Sequence, residues 1–355
     1  MFSSRQLHKR PAKLTYFDFW TSPVAPEILS QDKNIELVKL LYANPLESNL
    51  AAMGQTHGYQ IAPRGELPLP WLATTTLLDA CPNLLAISST GSGYDVIDVN
   101  ACTDRGIIVC NQAGANRRAV AEHAIGLMIS LSKKIALADR ALRHREVARF
   151  EISGNDIGGK TVGIVGLGHI GSYLAKLCNA FDMTVLAYDP YLSADDINQR
   201  GASKVAFDDL LARSDFISLH CPRSEETIGM FSTEQFAAMK RTSYFVNTAR
   251  GGLHDEVALE DAIRNKLIAG AGLDVFLIEP PPADHPLMAF DNVIATPHTA
   301  GVTTESLYNL SRAAASQWRN IFGGDVPPRL INPEAWPTYS FRFTEFFGFS
   351  PKALP

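Results

Sequence analysis

Three side chains that can share one reaction, a guanidinium, a carboxylate and an imidazole, occur at Arg250, Glu279 and His298. Each follows a run that reads as a buried β-strand. Arg250 comes directly after residues 243–249, His298 directly after 292–297, and Glu279 soon after a strand ending at 272–274. In open α/β sheets ligands bind outside the carboxyl ends of the strands, so groups at three such ends converge on one ligand edge. An arginine grips a carboxylate with two parallel charge-assisted hydrogen bonds. A histidine titrates near neutrality and can give or take a proton; a glutamate against it orients the ring and favours its protonated form. No side chain supplies hydride, so redox chemistry here needs a nicotinamide. The set fits a 2-oxo acid interconverting with a 2-hydroxy acid, with hydride going to C2 and His298 protonating the oxygen.

A place for the nicotinamide cofactor is written upstream. The run Thr161-Val162-Gly163-Ile164-Val165 leads into Gly166-Leu167-Gly168-His169-Ile170-Gly171, a helix pattern follows, and a second strand runs through Val185-Leu186-Ala187-Tyr188 into Asp189. Glycine triplets occur by chance, but this one lies between a strand and a helix with an acid closing the next strand. Gly166 permits the tight turn, Gly168 lets backbone approach a pyrophosphate, and Gly171 lets helix and strand pack closely. The helix start offers unpaired N–H groups to the anion. Asp189 accepts hydrogen bonds from ribose hydroxyls and repels a 2′-phosphate, which selects NAD over NADP.

The elements that must position these groups are strands alternating with helices. Candidate strands are 161–165, 183–188, 215–219, 243–248, 269–275 and 292–296, nearly continuous apolar runs of the kind parallel strands covered on both faces require. The fold class is α/β with doubly wound parallel sheets. Earlier in the chain, 14–20 and 84–88 read as strands, and 45–57 as a helix opened by Asn44-Pro45. The second strand runs into the small-residue loop Ser89-Thr90-Gly91-Ser92-Gly93. Val120, Ala124, Leu127, Leu131 and Ile135 recur at helical spacing and predict one long amphipathic helix over 118–149, with Glu122 and His123 near its start and a length that could bridge two domains. A last helix is expected over 304–322, capped by Gly323-Gly324. An aromatic tail then carries Phe341, Phe343, Phe346, Phe347 and Phe349, to be packed inside the molecule or used as an oligomer contact.

Composition excludes other classes. The 355 residues are 46% hydrophobic and 19% charged with net charge −5, ordinary for a globular protein, and the length suggests two domains. No basic patch of the size nucleic acid needs is visible. No apolar run is long enough for a transmembrane helix. Cys81, Cys102, Cys110, Cys178 and Cys221 form no C-x-x-C pair. With no secretory signal they read as reduced thiols in cytoplasm, and no metal site is expected. The acid-poor start, with Arg5, Lys9, Arg10 and Lys13, reads as a disordered tail rather than a transit peptide.

With these motifs assembled, residues 80–332 resemble the D-isomer-specific 2-hydroxyacid dehydrogenases. Gly91-Ser92-Gly93-Tyr94-Asp95-Val96-Ile97-Asp98 is similar to that family's substrate loop; Ala113-Gly114-Ala115-Asn116 and Val120-Ala121-Glu122-His123 to its hinge and long helix. Val246-Asn247-Thr248-Ala249-Arg250-Gly251 resembles the arginine motif, Ala271-Gly272-Leu273-Asp274-Val275-Phe276 with Glu279-Pro280 the glutamate segment, and Thr296-Pro297-His298-Thr299-Ala300-Gly301 the histidine motif. Val96, Ala113 and Arg223 depart from the common pattern of asparagine, proline and leucine, and Arg223 lies beside the expected cofactor site.

The resemblance implies two Rossmann-like domains with the active site in the cleft between them: an NAD-binding domain of residues 114–302 inserted into a substrate domain of 1–113 plus 303–355. It implies Arg250, Glu279 and His298 as catalytic residues. NAD contacts would come from Gly166, Gly168, His169, Ile170, Gly171, Asp189, Cys221, Pro222, Thr248, Ala249 and Asp274, with Asp274 on the nicotinamide carboxamide. Substrate carboxylate would bind Gly91, Ser92 and Gly93 with Arg250. A homodimer through the cofactor domain is implied, with no metal, nucleic-acid or membrane partner. The loop at 88–93 carries no cation, and Phe19 and Trp20 could line the pocket, which favours glyoxylate, hydroxypyruvate or a longer analogue over a phosphorylated acid, although Arg117 and Arg118 lie near the hinge. The alternative from another class is an NAD(H)-sensing corepressor-like binding protein on the same fold. Formate oxidation is disfavoured by Glu279, where the family's formate enzymes carry glutamine.

Overall fold

The computed structural model describes residues 10–62, 67–144 and 150–355. The chain divides into two compact units, Met1–Asn116 with Thr304–Pro355, and Arg117–Thr303.

The first unit opens with β1 (Ala12–Phe17), α1 (Val24–Ser30), β2 (Ile35–Leu40), α2 (Leu46–Met53), β3 (Gly58–Ile61), α3 (Thr75–Asp79), β4 (Ala86–Ser89), α4 (Val99–Asp104) and β5 (Ile108–Cys110). All pairings are parallel and the strand order is β2-β1-β3-β4-β5. Strands β3 and β4 are buried throughout because helices cover both sheet faces. Asp98 caps α4 by accepting from the Ala101 N–H at 2.9 Å.

The second unit contains α5 (Arg117–Ser132), α6 (Ile135–Arg143), β6 (Thr161–Val165), α7 (His169–Ala180), β7 (Thr184–Tyr188), α8 (Ala194–Gln199), β8 (Ser203–Lys204), α9 (Phe207–Arg213), β9 (Phe216–Leu219), α10 (Thr233–Ala238), β10 (Tyr244–Asn247), α11 (Glu256–Arg264), β11 (Gly270–Leu273) and β12 (Val293–Ala295). Its seven parallel strands run β12-β11-β10-β9-β6-β7-β8. The order reverses between β6 and β9, which sets a binding crevice at their carboxyl ends. One apolar layer joins Ala124, Met128, Leu174 and Ile164 on one face; Phe231, Phe245, Leu259 and Leu273 fill the other.

The chain then returns to the first unit through α12 (Thr304–Phe322), followed by α13 (Trp336–Phe347). Trp318 and Phe322 of α12, with Tyr339, Phe343 and Phe347 of α13, share a core with Leu14, Leu29 and Ala86. The aromatic tail therefore packs inside the molecule along one face of a helix, although Phe341 stays 65% exposed.

The long helix expected over 118–149 is two helices. Lys134 adopts φ +56, and Ser132 turns to bond Asn155, its hydroxyl donating to the Asn155 carbonyl at 3.0 Å while the Asn155 N–H returns to the Ser132 carbonyl at 2.7 Å. Ile135, assigned to the apolar stripe, is exposed, and α6 buries no residue. Residues 145–149, the end of that expected helix, lie outside the described residues, as do Arg5 and Lys9 of the basic start. Helix α5 packs on α7 and on β10 and β11, wholly within the second unit. Helix α2 starts at Leu46 with Pro45 at the boundary, one residue later than Asn44-Pro45 suggests, and Asn44 gives no cap.

Candidate active site

The glycine loop lies at the crossover of β6 and β9. Gly166 has φ +89, and a Cβ there would stand 2.7 Å from the Cys221 nitrogen, so the turn needs glycine for its dihedral and for the close approach of the β9 loop. Gly171 faces the Gly166 carbonyl so closely that a Cβ would sit 2.2 Å from its oxygen. Around Gly168 nothing lies within 4 Å of a Cβ position, which leaves the backbone open on the side a pyrophosphate would take. His169, Ile170 and Gly171 form the first turn of α7, whose N–H groups lack intrahelical acceptors. Asp189, at the end of β7, is held by the Leu167 N–H at 3.0 Å and the Tyr191 N–H at 3.1 Å. Each carboxylate oxygen keeps a lone pair for a ribose hydroxyl.

Cys221 and Pro222 follow β9, and the Pro222 carbonyl accepts from the Thr227 hydroxyl at 2.7 Å. Arg223 comes alongside Gly252, where a Cβ would meet its guanidinium at 3.4 Å. Thr248 is buried, and its Oγ1 finds no partner among the described residues. A buried hydroxyl costs free energy until something pairs with it. The open glycine cradle, the α7 terminus, Asp189 and this orphan hydroxyl together suit a dinucleotide.

Arg250, Glu279 and His298 come together. His298 Nδ1 and Glu279 Oε2 are 2.8 Å apart, and Glu279 Oε1 accepts the Phe276 N–H at 3.0 Å. Burial pushes the Glu279 carboxyl up, but the His298 hydrogen bond and charge, the Phe276 N–H and the Arg250 charge outweigh it and leave the carboxyl below its ordinary value. With Nδ1 turned to the acid, His298 Nε2 meets no partner among the described residues, and the ring is 46% exposed. Arg250 Nη1 donates to the Ala249 carbonyl at 2.7 Å. Asn247 shapes the turn that presents it: its carbonyl oxygen accepts the Ala249 N–H at 3.0 Å and its amide donates to the Arg250 carbonyl at 2.9 Å.

Two residues of the quoted motifs have positioning contacts that the sequence does not show. At Gly251 a Cβ would lie 1.8 Å from the Phe276 carbonyl oxygen, so the arginine and glutamate loops touch backbone to backbone there. Asp274 is fully buried, and its carboxylate accepts from Thr296 Oγ1 at 2.6 Å and from the Thr299 and Ala300 N–H groups at 2.8 Å each. It thus ties down the histidine loop, a task the sequence did not assign to it.

In the first unit, the Gly91 carbonyl accepts the Gln112 N–H at 2.8 Å and the Ser92 carbonyl accepts Asn111 Nδ2 at 2.7 Å. The backbone N–H groups of Ser92 and Gly93 have no acceptor among the described residues. Phe19 is exposed, whereas Trp20 turns inward against Tyr16, so the two do not form a common wall. Arg118 is paired with Glu122 at 2.6 Å. All five cysteines are free thiols. Among the described residues no group of His, Cys, Asp or Glu could hold a metal ion, and no helix is long and apolar enough to cross a membrane.

A family model described as D-isomer specific 2-hydroxyacid dehydrogenase, NAD binding domain, matches residues 125–300. The chain is 45% identical over 267 residues to D-3-phosphoglycerate dehydrogenase of Archaeoglobus fulgidus, covering 75% of this chain and 51% of that protein. It is 38% identical over 263 residues to glyoxylate reductase of Thermofilum pendens, covering 73% of this chain and 78% of that protein. The chain spans about half the length of the phosphoglycerate dehydrogenases it matches. Among solved structures, a glyoxylate reductase from Paecilomyes thermophila superposes with a TM-score of 0.80 at 27% identity, covering 91% of this chain and 98% of that one.

Proposed function

The chain belongs to the D-isomer-specific 2-hydroxyacid dehydrogenase family, and from that premise we propose that it interconverts a small 2-oxo acid and its D-2-hydroxy acid with NAD. One observation carries the reading: His298 gives Nδ1 to Glu279 and leaves Nε2 free, at the strand ends of a sheet whose crossover holds a dinucleotide loop. The bound nicotinamide supplies or accepts the hydride at C2. Arg250 binds the substrate carboxylate, and His298 Nε2 exchanges the proton with the C2 oxygen. Glu279 keeps the ring oriented and stabilises its charged form. The second unit, Arg117–Thr303, is the cofactor domain. The N–H groups of Ser92 and Gly93 suit the anion of an acid substrate. Exposed Ile135 and Leu142 on α6, a helix that buries no side chain, support a homodimer formed through the second unit.

The substrate class follows from charge. The loop leaving β3 carries Arg64, outside the described residues, but the loops leaving β1, β2, β4 and β5 carry no lysine or arginine, and Asp18 follows β1. A phosphate group would lack a counter-charge on those four loops, so glyoxylate or hydroxypyruvate fits better. The 45% identity to a D-3-phosphoglycerate dehydrogenase favours a second reading, oxidation of that phosphorylated acid. Purified protein assayed for NADH oxidation with glyoxylate, hydroxypyruvate and pyruvate, and for NAD reduction with D-3-phosphoglycerate, separates them. Turnover of the first group supports the proposal. Turnover of the phosphorylated acid alone replaces the substrate. No turnover with NADH-dependent assembly points to a sensor instead.

A further inference from the structure

Helix α5 carries an imidazole that the proposed reaction does not use. His123 Nε2 stands 3.0 Å from Thr296 Oγ1, and that hydroxyl stands 2.6 Å from Asp274 Oδ1. The hydroxyl has one proton, and the Asp274 carboxylate is an acceptor. Thr296 therefore donates to Asp274 and accepts from His123, which places the His123 ring proton on Nε2. The longer contact from Thr296 Oγ1 to the Leu273 carbonyl, 3.5 Å, competes poorly for that proton.

The far end of this chain is the catalytic loop. Asp274 accepts the Thr299 and Ala300 N–H groups through its side chain, and its backbone carbonyl accepts the His298 N–H at 2.8 Å. His298 has φ +54, a left-handed conformation that is uncommon outside glycine and that the bonds of its loop hold in place. The backbone N–H of His298 bonds to the carbonyls of Asp274 and Thr296, and the next two N–H groups to the Asp274 carboxylate. His123 fixes the Thr296 hydroxyl and links the loop to α5, which itself packs on β11 and β12.

We propose that His123 is a positioning residue: through Thr296 and Asp274 it holds the loop that aims the His298 ring, setting the rate of proton transfer without touching substrate. The inference rests on the reaction proposed above. Small misplacements of a catalytic group cost rate steeply, up to about a hundredfold for 1 Å.

The test uses full-length protein with four substitutions. His123→Phe and Thr296→Val remove the donor and the relay; His123→Gln and Thr296→Ser retain an N–H and a hydroxyl. The first pair should lower kcat by about tenfold or more, with KM for the 2-oxo acid and the affinity for NADH unchanged within about twofold. The second pair should restore kcat to within about threefold of the wild type. Wild-type kcat in both His123→Phe and Thr296→Val, KM rising with kcat unchanged, or failure of both conservative variants to restore the rate would each overturn the proposal. Hydrogen exchange read by mass spectrometry on the segment 296–300 tests the network without activity. Faster exchange there in His123→Phe, recovered in His123→Gln, supports it; wild-type exchange refutes it. A wild-type protein that turns over no acid would defeat the functional reading while the exchange result still decides the network.

Discussion

At the scale of single residues, the structure turns three chemically suggestive side chains into a hydrogen-bonded imidazole–carboxylate pair with a guanidinium charge near it. The Nδ1 bond to Glu279 leaves Nε2 as the nitrogen that would work on substrate in the proposed reaction. His298→Asn keeps a polar group on the loop and removes the titrating one; kcat should fall roughly 10²-fold or more, since positioned acid–base groups supply about that much. Steady-state kinetics checks this, and a near-normal kcat would take the imidazole out of the mechanism. Asp189 has a double task, because the same carboxylate that suits ribose hydroxyls holds the Leu167 N–H of the glycine loop. Asp189→Ala should therefore weaken NAD binding and raise the relative use of NADP by lifting repulsion of its 2′-phosphate. Measured kcat/KM for the two cofactors gives the answer; an unchanged ratio means the ribose is read elsewhere.

At the scale of elements, the site exists because loops at the ends of β10, β11 and β12 are forced into contact. Gly251 marks that contact, with no room for a Cβ against the Phe276 carbonyl. Gly251→Ala should separate the Arg250 and Glu279 loops and lower kcat/KM by at least tenfold, a loss of about 1.4 kcal/mol of transition-state stabilisation. Activity near wild type would mean the loops adjust independently. The strands that build this edge were legible as apolar runs because a parallel strand covered on both faces has no polar side. The three candidate side chains and the glycine loop were legible by type and spacing. Strand β8 was not, since Ser203 and Lys204 are both exposed at the sheet edge and carry no hydrophobic signal. Strand β3 hid behind Gly58 and a buried Gln60, whose carbonyl is used by the Trp318 indole at 2.7 Å. The break before α6 involves two lysines and no glycine or proline, so nothing local announced it. Helix α13 is built of aromatic, β-favouring residues and is helical because Tyr339, Phe343 and Phe347 fall on one buried face. The Asp274 and Gly251 contacts are tertiary, and a sequence read along its length cannot show them.

At the scale of the whole molecule, stability should depend on acid in a direction the histidines fix. Burial holds His254 at about 4, with Asp255 and Glu256 opposing and His285 adding to the fall. Burial also lowers His220 to about 3, and burial with the nearby Lys13 charge lowers His57 to about 4. His254 is 2% exposed, its Nδ1 accepts Asn247 Nδ2 at 3.1 Å, and the ring is neutral in that arrangement. In the unfolded chain these rings titrate near 6.5. On acidification the unfolded state takes up protons first, so their stabilisation is complete above about pH 6.5 and is lost as pH falls toward about 4. For His254 the loss is on the order of 3 kcal/mol across that window. Protonating this ring also removes the acceptor that steadies Asn247, the residue shaping the Arg250 turn, so acid should loosen that turn along with the fold. Thermal midpoints from pH 7.5 to 4.5 should fall steadily, and His254→Phe, which keeps a ring against Phe245, should flatten the slope even if it lowers the midpoint at pH 7.5. An unaltered slope in that variant would assign the acid sensitivity to groups other than His254.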